Sequence, residues 1–378
     1  MTCTIDGNGL NRILAVLQKQ GYETIGPKVE SGAIVYGEVR TAEDLPAGWT
    51  DTQSPGSYRL TERDGAGFFG YVVGPMSWKS FLFPAELRLL SVRRHDGKLE
   101  VTDHAKADPK RKRAFIGVRP CELAAMAIQD TVFLSGPYRD PYYEAERRAL
   151  FLVAVNCTHP AGTCFCTSMN TGPAAKAGYD ICLTELLEGD RHVFVAESGS
   201  ERGIEVLKLV PSNGATEAEI GAARSKIEQA GHAITRTLQT EGLPQYLKSG
   251  LEHPRWENVA HRCLNCGNCT QVCPTCFCST VEDVTDLAGT EAHRTRKWDS
   301  CFTLEFSYIH GGSVRSSAKS RYRQWLLHKL GNWVDQFGTM GCVGCGRCIT
   351  WCPVGIDITE EADALRQQQS VSLTPSGE

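Results

Sequence analysis

The sequence has no apolar segment long enough to cross a membrane. Its longest strongly apolar run, Ala149–Val155, has seven residues, whereas a transmembrane helix needs about 20. The first eleven residues (MTCTIDGNGLN) also lack the basic and apolar regions of a secretory signal. We therefore expect a cytoplasmic protein that does not act at a membrane.

A large charge of one sign is missing as well. Lys and Arg total 40 and Asp and Glu total 44, which gives a formal net charge of −4. Nucleic-acid-binding domains usually carry a basic surplus, so nucleic acid is not an expected partner. Hydrophobic residues make up 41% and charged residues 22%, which excludes a largely disordered chain.

Fingerprints of catalytic and nucleotide-binding sites are also missing. No G-x-G-x-x-G stands between a strand and a helix, and the chain has no G-x-x-x-x-G-K-[ST], G-x-S-x-G or H-E-x-x-H. We expect no nucleotide or flavin on this chain and no catalytic residue of its own. A chain with redox centres but no site for chemistry is most simply an electron conductor.

Cysteine is the residue present in excess. The chain has 17 cysteines, and eleven of them lie between Cys263 and Cys352. In a reducing compartment, so many cysteines predict metal ligands rather than disulfides.

Two segments repeat one cysteine spacing. Residues 263–274 (CLNCGNCTQVCP) and 342–353 (CVGCGRCITWCP) both follow C-x2-C-x2-C-x3-C-P, the spacing of bacterial [4Fe-4S] ferredoxins. In two-cluster ferredoxins the fourth cysteine of each run binds the other cluster. The predicted ligands of the first cluster are Cys263, Cys266, Cys269 and Cys352. Those of the second cluster are Cys273, Cys342, Cys345 and Cys348.

Two alternatives stay open for this region. A zinc ribbon also uses C-x2-C pairs, although it needs neither the third cysteine of each run nor the Cys-Pro. In addition, 68 residues separate Cys273 from Cys342, so this insertion could supply a different ligand. Cys276, Cys278 and Cys301 are the candidates, either as ligands or as packing around the clusters.

Four cysteines of the first half follow two predicted strands. Cys121 lies after Val118, near the predicted start of a helix, where the helix dipole favours the thiolate. Cys157, Cys164 and Cys166 follow a strand that ends at Val155. Side chains at the carboxyl ends of strands in an α/β sheet can meet. We expect a third [4Fe-4S] cluster here, and buried structural thiols are the alternative.

The chain divides into two predicted domains near residue 250. Residues 1–250 read as a mixed α/β scaffold domain that carries the additional cysteine site. Residues 251–378 read as an α+β two-cluster ferredoxin-like domain with a long helical insertion at 279–340. Apolar spacing predicts a helix at 8–20, and strands are predicted at 33–39, 56–60, 68–73, 114–118, 150–155 and 192–196. Cys182 is expected in the core.

With these motifs in place, the chain resembles a known family from about Gly21 to Thr359. It is similar to the iron–sulfur β subunit of cytoplasmic NAD(P)-linked [NiFe] hydrogenases, or sulfhydrogenases, to which the iron–sulfur subunit of anaerobic sulfite reductase is closely related. The resemblance rests on GYETIGP (21–27), SPGSYRL (54–60), SWKSFLFP (77–84), GVRPCELAAMAIQD (117–130), NCTHPAGTCFCTSMNTGP (156–173), CLNCGNCTQVCPTCFC (263–278), WDSCF (298–302), RYRQWLLHKL (321–330) and GCVGCGRCITWCPVGIDIT (341–359).

The resemblance implies a non-catalytic subunit that passes single electrons. Its implied partners are the small and large [NiFe] hydrogenase subunits, together with a diaphorase-type subunit that binds FAD and NAD(P). It also implies cluster ligands in the CFC segment at 164–166. The equivalent subunit of a sirohaem sulfite reductase is the nearest alternative, and a zinc-binding interaction module is an alternative of another class.

Overall fold

The computed structural model describes residues 1–65, 67–105, 111–189 and 191–371. Sixteen strands lie within these ranges. They are β1 (Thr2–Ile5), β2 (Tyr22–Glu30), β3 (Ala33–Glu38), β4 (Trp49–Ser54), β5 (Ser57–Glu62), β6 (Glu86–His95), β7 (Lys98–Asp103), β8 (Lys112–Val118), β9 (Phe151–Val155), β10 (Ile181–Glu188), β11 (Arg191–Ser198), β12 (Asn213–Gly214), β13 (Ser279–Thr285), β14 (Glu291–Trp298), β15 (Tyr308–Ile309) and β16 (Gly312–Ser313).

Thirteen α-helices lie in the same described ranges. They are α1 (Gly7–Lys19), α2 (Lys79–Leu82), α3 (Pro120–Leu134), α4 (Pro141–Ala149), α5 (Glu201–Leu207), α6 (Glu217–Ala233), α7 (Leu243–Ser249), α8 (Arg255–Arg262), α9 (Asn268–Gln271), α10 (Ala318–Leu327), α11 (Trp333–Phe337), α12 (Arg347–Thr350) and α13 (Ile358–Val371). A π-helical turn, His328–Asn332, joins α10 to α11.

An eight-stranded mixed sheet organises the first half, in the order β12-β1-β11-β10-β9-β8-β2-β3. Its centre is parallel, because β8 pairs parallel with both β2 and β9, and β9 pairs parallel with β10. The central strand β9 is buried along its whole length, as expected for a strand covered on both faces. The mixed α/β character is therefore confirmed, and β8 and β9 end side by side.

The predicted helix at 8–20 is confirmed as α1. The Asp6 carboxylate accepts a hydrogen bond from the Gly9 backbone N–H at 2.8 Å, which caps the helix start. Leu10, Ile13 and Leu14 are fully buried on its inner face.

The predicted strand at 68–73 is wrong, because distant side chains take up the backbone groups that a strand would pair. The Glu185 carboxylate accepts hydrogen bonds from the backbone N–H groups of Phe68 and Phe69. The Arg119 guanidinium donates to the carbonyls of Phe69 and Tyr71, both at 2.7 Å. The segment is apolar like a strand but is held as an irregular loop.

The insertion at 279–340 is helical only in its second half. Its first half forms the hairpin β13–β14, which continues a second sheet in the order β13-β14-β6-β7. The expectation of a long helical insertion is thus not met for residues 279–298. This sheet combines strands from both sides of residue 250. The division of the chain into two domains near that residue stays a prediction.

The ferredoxin-type loop at 342–348 packs directly against the loop after β9. The Phe165 backbone N–H donates to the Gly344 carbonyl at 2.8 Å. A Cβ atom on Gly344 would lie 2.6 Å from Phe165 backbone atoms, and one on Gly346 would lie 2.5 Å from the Thr163 carbonyl oxygen. Both glycines also have positive φ, so only glycine allows this close approach.

Within the part of the chain that the structure describes, no helix is both long and apolar enough to span a membrane.

We predict that Gly346→Ala destabilises the fold more than Gly338→Ala. Both residues have φ near +70°, so both substitutions carry a left-handed backbone cost of roughly 1–2 kcal/mol. Only at Gly346 would the new methyl group meet backbone atoms, whereas the Cβ at Gly338 would have no neighbour within 4 Å among the described residues. Thermal unfolding of the two variants measures the difference, and equal melting temperatures would contradict the packing described here.

Candidate metal centres

The two ferredoxin-type runs have matching local structure. Gly267 and Gly346 adopt left-handed conformations with φ of 75° and 76°, and each directly precedes a four-residue helix, α9 or α12. A loop that turns into a short helix in this way brings the three closely spaced cysteines of each run to one side. The repeated sequence spacing is therefore a repeated backbone conformation.

Site 1 consists of four cysteines that line one cavity. They are Cys263, Cys266, Cys269 and Cys352, the set predicted for the first cluster. Cys348 of the other run also borders this cavity. Cys352 comes from the second run, so this cavity brings cysteines of both runs together; crossed ligation stays a prediction.

Donor groups without partners face this set of thiols. Tyr322 and Trp325 line the site 1 cavity, and their buried Oη and Nε1 atoms have no hydrogen-bond partner among the described residues. Buried polar groups are normally paired. A sulfur-rich group bound in the cavity would accept these hydrogen bonds, so the walls fit an iron–sulfur cluster.

Site 2 consists of Cys273, Cys342, Cys345 and Cys348. Burial raises the pKa of Cys348 well above its usual value, and the neighbouring thiols of Cys342, Cys345 and Cys273 raise it further. These four thiols are thus close enough to affect one another. Thiols must lose their protons to bind metal. A bound metal cation would therefore stabilise the thiolate form of these cysteines.

A buried lysine contacts site 2. Lys329 donates to the Cys273 Sγ at 3.3 Å, to the Thr275 Oγ1 at 3.1 Å and to the Gly341 carbonyl at 2.8 Å. Burial disfavours its charged form, but the thiolates of Cys273, Cys276 and Cys342 outweigh this effect and raise the pKa of Lys329 well above its usual value. The sequence analysis did not single out Lys329, because nothing in the helical pattern around a lysine predicts that its side chain is buried.

Site 3 consists of the four cysteines that follow β8 and β9. Cys121, Cys157, Cys164 and Cys166 line a single cavity, as predicted from the ends of the two strands. Cys121 is the second residue of α3, after Pro120 at the helix start. The Arg119 side chain lines the same cavity, and its buried Nη1 has no hydrogen-bond partner within the described ranges.

The three sites adjoin one another. Cys345 of site 2 also lines the site 3 cavity, and the Cys164 Sγ lies 3.9 Å from the Cys345 carbonyl oxygen. Cys348 of site 2 borders the cavity of site 1. Site 2 is therefore in contact with the other two sites.

An ion pair reinforces the junction of sites 2 and 3. Arg347 and Glu122 form a buried salt bridge, and Arg347 also donates to the Gly74 carbonyl at 3.2 Å. Arg347 follows the second-run cysteine Cys345 by two residues, while Glu122 follows Cys121 in α3. This pair fixes the second ferredoxin-type run against the α/β sheet.

The remaining candidates, Cys276, Cys278 and Cys301, line a third cavity together. The contact with the Cys301 thiol lowers the pKa of Cys278 to about 7 despite burial. Cys276 touches Cys273 of site 2 through its side chain. Cys182 is buried in β10, as expected for a core thiol.

Within the described residues, no three His, Cys, Asp or Glu side chains are arranged to hold a single metal ion. The cysteines of sites 1 and 3 line the walls of cavities instead. Such a cavity, with sulfur ligands around it, suits a polynuclear cluster.

Comparison with known proteins agrees with this chemistry. Residues 262–356 match the family model of the 4Fe-4S dicluster domain. No solved structure matches the chain. The sulfhydrogenase 2 subunit beta of Pyrococcus furiosus is 34% identical over 273 residues, which cover 71% of this chain and 79% of the relative. The chain therefore belongs to the family of iron–sulfur hydrogenase beta subunits.

Proposed function

We propose that this chain relays single electrons through three [4Fe-4S] clusters held at sites 1, 2 and 3. The single observation that carries the proposal is the continuity of the sites, since Cys345 borders site 3 and Cys348 borders site 1. One-electron transfer needs adjacent centres rather than a substrate pocket. The clusters, when bound, supply the one-electron redox chemistry.

The chain's own residues hold the centres and set their surroundings. Cys273 of site 2 is buried and the other three cysteines of the site are half-buried, which limits the access of water to the centre. Lys329 would donate a hydrogen bond to the Cys273 sulfur and place a positive charge beside it. Hydrogen bonds and positive charge near the sulfurs stabilise the reduced, more negative state. Lys329 is therefore a positioning and tuning residue for site 2.

The proposed route connects the small and large subunits of a [NiFe] hydrogenase in the cytoplasm with an FAD- and NAD(P)-binding subunit. The similarity to a protein described as a sulfhydrogenase beta subunit supports this choice over a sulfite reductase complex. The chain itself would bind no nucleotide. The hydrogenase reaction and the NAD(P) reaction would take place on the neighbouring subunits.

We predict that the protein, isolated without oxygen from its native cells, co-purifies with nickel and flavin. Metal analysis and the optical spectrum of the complex measure both, and acid extraction distinguishes flavin from sirohaem. A complex that holds sirohaem and no nickel would instead identify the sulfite reductase alternative and contradict the hydrogenase assignment.

We predict that the double variant Cys121→Ser/Cys164→Ser loses about four iron and four sulfide per chain relative to the unmodified protein. Both substituted thiols line site 3, and two missing ligands leave too few to hold a cluster. The matched control is Cys182→Ser, which changes a buried thiol of the sheet. Equal iron in all three proteins would mean that site 3 holds no cluster.

We predict that Cys263→Ser and Cys352→Ser alter the same EPR signal of the reduced protein, because both residues line site 1. The single variants Cys273→Ser and Cys342→Ser should both alter a second signal, different from the first. If Cys352→Ser instead changes the signal that Cys342→Ser changes, ligation follows each run separately and the crossed arrangement is wrong.

A further inference from the structure

The cavity beside site 2 has features of a further cluster site. Its volume is about 730 Å³, far more than the ~30 Å³ that one water occupies in the liquid. Three cysteines line it, and much of the remaining wall is aromatic, with Phe277, Trp325 and others. We name this cavity the hairpin cavity, after the strands beside it.

The β13–β14 hairpin brings the cysteines of the hairpin cavity together. Ser279, the first residue of β13, pairs with Trp298, the last residue of β14. The Asp299 backbone N–H then donates to the Cys278 carbonyl at 2.9 Å, which continues the ladder by one step. Cys278 and Cys301 lie just beyond this open end of the hairpin and therefore meet, although 22 residues separate them in the sequence.

Cys276 reaches the same cavity from the first ferredoxin-type run. Pro274 ends that run, and the chain then turns so that Cys276 and Cys278 both border the hairpin cavity. Two cysteines in a C-x-C spacing point to opposite faces of a regular extended strand, but here both side chains border one cavity. The C-x-C segment has no strand or helix assignment before Ser279.

Two buried ammonium groups lie beside these thiols. Lys79 and Lys329 are only 4% and 5% exposed, and within the described residues neither forms an ion pair with a carboxylate. Lys79 donates to the carbonyls of Gln271 and Cys276 and lies 3.8 Å from the centre of the Trp298 ring. Buried charges are normally paired, so an anionic group nearby would stabilise the charged form of both side chains.

The two ammonium groups contact different cysteines. Lys329 donates to the Cys273 sulfur of site 2 at 3.3 Å, whereas Lys79 donates to the backbone carbonyl of Cys276 at 3.2 Å. Because Cys276 borders the hairpin cavity, Lys79 lies beside that cavity.

We propose that Cys276, Cys278 and Cys301 hold an iron–sulfur cluster in the hairpin cavity, in addition to the clusters of sites 1–3. The proposal rests on the proposed function, since it adds a centre to that relay. Three cysteines with His328 would also suit structural zinc, so measurements of iron and sulfide decide between zinc and a cluster. The remaining iron position would take a non-cysteine ligand, and His328 lines the same wall; imidazole replaces thiolate on one iron of Rieske centres.

The test compares iron and acid-labile sulfide in the anaerobically purified full chain and in the double variant Cys278→Ser/Cys301→Ser. The variant should lose about three or four iron per chain, while the EPR signals of sites 1–3 persist and show that the variant is folded. The control Cys182→Ser should keep all its iron. An unchanged iron content in Cys278→Ser/Cys301→Ser would overturn the proposal.

A second measurement does not depend on any variant. Cys278 is half-buried and lines the hairpin cavity, so as a free thiol it should be accessible to iodoacetamide. We expect Cys278 to resist alkylation in the iron-loaded protein and to react after iron is removed with a chelator. Alkylation of Cys278 in the iron-loaded protein would show a free dithiol and contradict the proposal.

The two proposals can fail separately. Loss of the extra cluster alone leaves about twelve iron per chain in three sites, with the loss in Cys121→Ser/Cys164→Ser unaffected. A chain without iron at sites 1 and 2 would overturn the relay itself, whatever the hairpin cavity holds.

Discussion

The structure depends on how the cysteines between the eight-stranded sheet and the two ferredoxin-type runs are buried. Thiolates are costly to bury, because desolvation disfavours the charged form, and burial accordingly raises the pKa of Cys121, Cys164 and Cys348. Iron supplies positive charge when clusters are bound. The protein adds its own cations in the same layer, chiefly Lys329 and Arg347.

The cysteine-rich loops of the two halves of the chain are in close contact. The loop after β9 carries Cys164 and Cys166, and it packs on Gly344 and Gly346 of the second ferredoxin-type run. A larger residue at either glycine would separate the two loops. Cysteines that follow the parallel strands β8 and β9 therefore share a cavity with Cys345 of that run.

What could be predicted from the sequence was which cysteines come close together. Each ferredoxin-type run repeats one loop conformation, so the spacing alone grouped the cysteines of site 1. The grouping of the site 3 cysteines followed from strand ends, since parallel neighbours such as β8 and β9 finish at the same edge. The position of Cys182 in the core followed from its apolar surroundings.

What could not be predicted depends on partners far along the chain. The segment at 68–73 has the composition of a strand, but Glu185 and Arg119 take its backbone hydrogen bonds. The burial of Lys329 likewise depends on Thr275 and Gly341. No window of sequence around either segment contains these partners.

The β13–β14 hairpin of the insertion shows how pairing with a distant strand can determine where cysteines lie. The strand β14 pairs with β6 through Glu291↔Arg93 to Lys297↔Glu86, so the hairpin is fixed to a sheet that begins almost 200 residues earlier. A spacer between two ferredoxin-type runs would need no such anchoring. Because the hairpin is anchored, its open end is held beside site 2, and Trp298 covers Lys79 there. The anchoring explains why a long insertion can carry cysteines at its base without weakening the geometry of either run.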